Sequence, residues 1–214
     1  MRLPKSREYR DSVEPSTSRG RETKSRIVAA AAELMHRRGV ATTSVDDVLA
    51  ASGTGKSQFY HYFSAKDDLV EAVLEHQLAG VLAEQRRFDI GTWQGIRGWL
   101  DSLLAGQAER GFYAGCPLGS IVAELADRDE RLQTLAAEAF TRWEAELADG
   151  LRLLQSRGRL DAEADPDTLA EEAMATIQGG YLLSTTKKNL EPMKIALDAA
   201  LARITSHSTA VEAN

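Results

Sequence analysis

Lys56, Ser57, Gln58, Tyr60 and His61 have the residue types and spacing best suited to chemistry on another molecule. Phe59 and Phe63, at i and i+4, claim one side of a short helix, and the other five occupy the rest of its surface. An ammonium, a hydroxyl, a carboxamide, a phenol and an imidazole suit phosphates and base edges. A second pattern overlaps the first. Ala50 to Ser57, AASGTGKS, fits a relaxed phosphate loop in which backbone N–H groups, Lys56 and Ser57 would cradle a nucleotide. That chemistry needs a buried strand before the loop and a long helix after it. Here Asp46, Asp47, Val48 and Leu49 precede it as an amphipathic helix, and Phe59-Tyr60-His61-Tyr62-Phe63 follows at once. Nucleic acid is favoured, and a phosphate-loop nucleotide binder remains the alternative of another class.

The elements that must position these residues are legible around them. Thr43, with Asp46 three residues on, has the form of a capping box, and Val45, Val48 and Leu49 recur at helical spacing behind it. Ser52, Gly53 and Gly55 interrupt that helix, as a tight helix–helix turn requires. Ser64 and Asp67 form a second capping pattern at the start of another helix. Lys66 falls in its first turn, where a cation opposes the helix dipole and suggests an external anion such as phosphate. Helix, glycine turn and helix, from Thr42 to Lys66, have the form of a helix-turn-helix DNA reader.

The segment from about Arg21 to Val73 resembles the DNA-binding domain of TetR/AcrR-type transcriptional regulators. Ile27-Val28-Ala29-Ala30-Ala31 with Leu34, Gly39, Thr43, Val48 and above all GTGKSQFYHYFSAKDDL carry the resemblance. It implies a supporting first helix from about Arg21 to Arg38 and a second helix begun by Thr43, touching phosphate. It further implies a recognition helix bearing Lys56, Ser57, Gln58, Tyr60 and His61 in the major groove, and a phosphate contact at Lys66. Thr54-Gly55 and Gln58 depart from the residues common in the family. Gln58 can pair bidentately with adenine, so the operator sequence does not carry over.

Charge supports a reading head on a differently charged body. Residues 1–66 carry twelve Lys and Arg against seven Asp and Glu, whereas residues 67–214 carry fourteen against twenty-five. Such asymmetry directs DNA to one end. Arg19, Arg21, Lys24 and Arg26 cluster where an arm could reach phosphates. Residues 1–20 are polar, with Pro4 and Pro15, and read as a disordered basic arm. No long apolar run suggests a membrane span, and the single Cys116 suits a reducing compartment, so a cytoplasmic, nucleoid-associated protein is expected.

From about Lys66 the chain reads as helices throughout. The fold class expected is all-α: a three-helix helix-turn-helix domain at 21–66, a helical effector-binding and dimerisation domain at 67–208, and a disordered tail at 209–214. Asp165-Pro166 and Glu191-Pro192 mark the starts of the last two helices. Ala173, Gly180, Tyr181, Ser184, Leu197, Leu201 and Ile204 lie on faces of those helices that suit a partner, and Gly179 and Gly180 allow close backbone approach. The resemblance implies a homodimer built there as a four-helix interface, matching a palindromic operator. Trp99, Leu103, Phe112, Cys116, Phe140, Trp143, Met174, Ile177 and Tyr181, with Trp93 and Tyr113 nearby, are candidates to line a pocket for an unknown small-molecule effector or simply to pack the core. Cys116, in AGCPLG, resembles a cysteine carried at this loop by some members that sense electrophiles or oxidants; the other reading is a buried small apolar residue. His36, His61, His76 and His207 show no metal spacing and no nucleophile elbow is present, so neither cofactor nor enzymatic activity is expected.

Overall fold

The computed structural model describes residues 15–111, 115–125 and 130–209. Among them nine α-helices follow in order: α1 Ser18–Arg38, α2 Val45–Ser52, α3 Lys56–Tyr62, α4 Lys66–Gln85, α5 Trp93–Glu109, α6 Pro117–Leu125, α7 Glu130–Ser156, α8 Pro166–Lys187 and α9 Glu191–Thr205. The all-α class is as expected, and the phosphate-loop pattern follows α2 rather than a strand. An isolated antiparallel bridge joins Leu160 to Ser208. The chain forms two compact units, one up to His76 and one from Gln77 onward. The division falls inside α4 rather than at the start of that helix, where the sequence suggested it.

The first unit is organised by α1, which packs on α2 and α3. It buries Thr23, Ile27, Val28, Ala31, Ala32 and Met35, spacings that make one helical stripe. Helix α1 begins earlier than expected. Thr17 Oγ1 accepts from the Gly20 N–H at 3.1 Å, so the last residues of the expected arm belong to a capped helix. Residues 1–14 lie outside the described residues.

Two caps sit one residue away from their expected positions. Ser44, not Thr43, caps α2: its Oγ accepts from the Asp47 N–H at 3.1 Å while Asp47 accepts from the Ser44 N–H at 2.9 Å. Asp68, not Asp67, closes the start of α4, accepting from the Ser64 and Ala65 N–H groups at 2.8 and 3.2 Å. Between α2 and α3 the chain turns at Gly53, whose φ of 63° is left-handed and costs a glycine nothing.

In the second unit α7 buries Leu132, Ala136, Ala139, Trp143, Leu147, Leu151 and Leu154, a continuous helical stripe. It packs on α6 and α8, and α8 packs on α9. Asp165 caps α8 with Pro166 behind it, as read from the sequence. The approach of α8 to α9 depends on Gly180, where a Cβ would stand 2.6 Å from Ala196 Cβ. Ser184 Oγ accepts the Met193 N–H at 2.8 Å, supplying from α8 a partner for an open donor at the start of α9.

That packing shows where the residues expected at an interface lie in the single chain. Ala173, Gly180, Tyr181, Ser184, Leu197, Leu201 and Ile204 are all buried within the single chain, because α8 and α9 spend this face on each other and on the core. The large apolar residues left exposed on the pair are Leu182, Leu183 and Ile195. At the C-terminus Thr209, expected to begin a free tail, donates its N–H to the Arg159 carbonyl at 3.1 Å. Residues 210–214 lie outside the described residues.

Candidate nucleic-acid interface and body cavities

Helix α3 is two turns long and is held from below. Phe59 and Phe63 are fully buried, Tyr62 nearly so, and the Phe59 and Phe63 ring centroids lie 5.4 Å apart. Fixing these rings fixes the rotation of the helix. Lys56, Ser57, Gln58, Tyr60 and His61 are then all exposed, Tyr60 at 59%. A phenol so exposed on a well-packed helix contributes little to the fold and is free to meet a partner.

Two members of this face carry local tethers. Lys56 Nζ pairs with Asp46 Oδ1 at 3.1 Å, with both side chains mostly exposed. Such a pair is weak and exchanges readily for a phosphate. Gln58 Oε1 accepts from the Gly55 N–H at 3.2 Å, helping to cap α3. Bidentate pairing with adenine would require that oxygen to leave the cap, while the amide NH2 is free of it.

Thr43 and Lys66 are placed differently from the expectation. Thr43 is buried, and its hydroxyl donates to the Gly39 carbonyl at 2.8 Å, so the exposed hydroxyl at the start of α2 belongs to Ser44. Lys66 is half-buried, and its Nζ donates to the Val40 carbonyl at 2.5 Å, tying the start of α4 to the loop after α1. Arg19, Arg21, Lys24 and Arg26 lie on the first turns of α1 rather than on an arm. Arg21 Nη1 turns back to the Pro15 and Ser16 carbonyls at 3.4 and 3.3 Å.

Within the second unit, a cavity of about 490 Å³ is lined by residues including Val81, Leu103, Gly106, Arg110, Trp143 and Tyr181. A smaller one of about 320 Å³ borders Cys116, Gly119, Ser120, Gln178 and Tyr181. Leu103, Cys116, Trp143 and Tyr181 of the expected pocket therefore do line space. Trp99, Met174 and Ile177 are packed in the core, outside both linings. Phe140 is half-buried and stacks on Trp143, with ring centroids 6.1 Å apart. Phe112 and Tyr113 lie outside the described residues.

Cys116 is buried, and burial pushes its thiol pKa up; the Gly119 N–H, donating to Sγ at 3.3 Å, opposes this only in part. A sensing thiol needs the reverse shift and access to solvent, so in this structure Cys116 has the character of a core residue. The sequence reading did not single out Gln85, Gln107 or Arg110, and took Trp99 only as a pocket or core ring. Each has a buried atom without a hydrogen-bond partner. No spacing rule marks such atoms, since they emerge only once the helices pack.

The two units correspond to two family models. Bacterial regulatory proteins of the tetR family match residues 27–73. The C-terminal domain of LmrA/YxaF-like transcriptional regulators matches residues 92–199. An HTH-type transcriptional regulator in the lacX 3' region of Lactococcus lactis subsp. lactis is 30% identical over 186 residues, covering 83% of this chain and 91% of that protein. The HTH-type transcriptional repressor DhaR of Mycobacterium sp. strain GP1 is 23% identical over 174 residues, covering 78% of this chain and 84% of DhaR. A TetR transcriptional regulator from Chloroflexus aurantiacus superposes with a TM-score of 0.77 at 26% identity, covering 90% of this chain and 98% of that structure. With a packed helix-turn-helix head, an all-helical body and these matches over both, the chain belongs to the TetR family of helix-turn-helix transcriptional regulators, which are not enzymes, and has an LmrA/YxaF-like C-terminal domain.

Proposed function

We propose that the protein is a homodimeric repressor that reads a palindromic DNA operator and is released by a small molecule bound in its body. One observation carries the DNA half of this reading: α3 buries Phe59, Tyr62 and Phe63 and turns Lys56, Ser57, Gln58, Tyr60 and His61 outward together. A helix of seven residues reads few base pairs, so affinity and specificity call for a second copy one helical turn along the duplex. Ser44, exposed at the start of α2, is suited to a flanking phosphate.

The second copy has a surface to use. Leu183 and Ile195 are exposed, and with Gly179, Pro192 and Ala199 they border a groove of about 510 Å³ along α8 and α9. Gly179 meets nothing within 4 Å, so a neighbouring helix can approach there, whereas Gly180 is already occupied by α9. The expected dimer therefore uses the outward face of the α8–α9 pair.

Repression and its relief follow from population shift. The cavity of about 490 Å³ draws part of its wall from α4, through Gln77, Gly80, Val81 and Glu84, and α4 is also the helix whose first turn carries Lys66. An effector that favours one disposition of α4 biases the heads away from operator spacing, provided it binds that state several kcal/mol more tightly. The relative named as a repressor supports this sign of regulation. Among the described residues no helix is long and apolar enough to cross a membrane, which agrees with a cytoplasmic site of action. The test is retention of sheared DNA from the source organism by the purified protein across a salt titration. A few palindromic fragments with a steep salt dependence are expected; equal, weak retention of all fragments would refute the reading.

A further inference from the structure

We infer that the cavity of about 490 Å³ takes a small carboxylate through Arg110, an assignment that rests on the effector-pocket reading above. Folded chains leave few buried polar atoms without partners, and each one calls for an explanation. Among the described residues the unpartnered buried atoms are Gln85 Nε2, Trp99 Nε1, Gln107 Oε1 and Arg110 Nε. All fall between the last residue of α4 and the residue that follows α5, and three of the four are donors.

The connection to the cavity is direct for Arg110, which lines it. Gly106 lines it too and makes room for the guanidinium: a Cβ there would stand 3.1 Å from Arg110 Nη1. Trp99 lies three and four residues before Ser102 and Leu103, both wall residues, and so on the same side of α5. Gln85 Oε1 accepts the indole N–H of Trp143, another wall residue, at 2.7 Å; this fixes the amide and leaves its NH2 as the open donor. Tyr181 stands beside Arg110, and its hydroxyl is a further donor.

The charge inside the cavity is unbalanced in the same sense. Glu84 in the wall is already paired with Arg87, at 2.7 and 2.9 Å, and Glu109 is exposed. No carboxylate among the described residues is paired with Arg110. A ligand must therefore bring acceptor atoms and a negative charge; a neutral carbonyl would satisfy donors but leave the partly buried cation uncompensated. Val81, Leu103, Pro117 and Trp143 provide walls for a short apolar body, and the volume lies in the usual range for a small ligand.

Tryptophan emission can follow binding, because Trp143 forms part of the wall. The probes are hexanoate and benzoate against hexanamide and benzamide, with Nile red as a neutral apolar control. Saturable binding of the acids, roughly tenfold or more tighter than that of the amides, is expected, with the preference lost in Arg110→Met. Tyr181→Phe keeps the ring and removes one donor; it is expected to weaken the acids more than the amides, and it decides the matter if Arg110→Met melts early. Equal binding of acids and amides, or a preference that survives both substitutions, overturns the carboxylate assignment. Saturable Nile red without any acid binding also overturns it but leaves an effector cavity standing, whereas failure of every probe removes the cavity reading itself.

Discussion

The recognition segment and the body distribute polar groups in opposite ways. In residues 56–63 Phe59, Tyr62 and Phe63 go inside, while Lys56, Ser57, Gln58, Tyr60 and His61 face water until a partner arrives. Around α4 and α5 of the body, polar atoms of Gln85, Trp99, Gln107 and Arg110 are buried with no partner supplied by the fold. A surface of solvated donors is poised for another surface. A set of unpartnered donors beneath helices is poised for something small enough to enter. The charges agree, since the basic excess lies in the first 66 residues and the acidic excess beyond them.

The sharpest way to break this contrast is to damage one unit and watch the other. All three tryptophans, Trp93, Trp99 and Trp143, belong to the unit that begins at Gln77, so their emission reports the body alone. Phe59→Ala should cost the head about 3–5 kcal/mol and abolish specific DNA retention. The denaturation midpoint followed by tryptophan should stay in place; a matching fall in that midpoint would show that the units are not separable in this way.

A smaller effect is expected from Leu183→Glu, which puts a charge on the exposed face of the α8–α9 pair. Burial of a leucine is worth about 1.5–3 kcal/mol, so sedimentation should show the proposed dimer shifted toward monomer by that order, with folding unchanged. If Leu201→Ala, in the interior of the same helix pair, lowered stability while Leu183→Glu left sedimentation untouched, the assigned interface would be wrong. Gln85→Leu removes the acceptor of the buried Trp143 N–H and should cost the body about 1–3 kcal/mol by tryptophan-monitored unfolding, with operator affinity intact.

The helix caps give the smallest changes and run in parallel in the two units. The Ser44 hydroxyl and N–H hold the Asp47 carboxyl below its ordinary pKa, and Thr168 with the Asp167 and Thr168 N–H groups does the same for Asp165. A carboxylate with a lowered native pKa stabilises above its unfolded pKa and loses that contribution as pH falls through the native value. Asp47→Asn and Asp165→Asn should therefore be slightly less stable than the parent at neutral pH, and the difference should close on acidification below the ordinary carboxylate range. A difference that persisted unchanged in acid would remove the charged cap as its cause.

The head was the more legible unit for physical reasons. Phe59 and Phe63 at i, i+4 and the turn at Gly53 specify which side of α3 goes inward, and nothing distant alters that. The cap positions moved by one residue because Thr43-Ser44, Asp46-Asp47 and Asp67-Asp68 are doublets that support either register. The α8 and α9 faces were ambiguous for a deeper reason. Helix α8 is apolar both at Ala173, Ile177 and Tyr181 and at Leu182 and Leu183, and only packing shows that the first set meets α9 and the core while the second stays outside. The unpartnered Nε of Arg110 depends on tertiary geometry that no local pattern encodes.

The central claim, that the exposed face of α3 reads DNA, is tested most directly by operator affinity in Tyr60→Ala and Lys56→Ala. Fragments retained by the parent protein provide the operator, and tryptophan-monitored unfolding with sedimentation checks that each variant remains a folded dimer. Loss of about 1–3 kcal/mol in operator binding, with folding and assembly unchanged, is the predicted result. Undiminished affinity in both folded, dimeric variants would contradict it and move the DNA contact to another surface of the head.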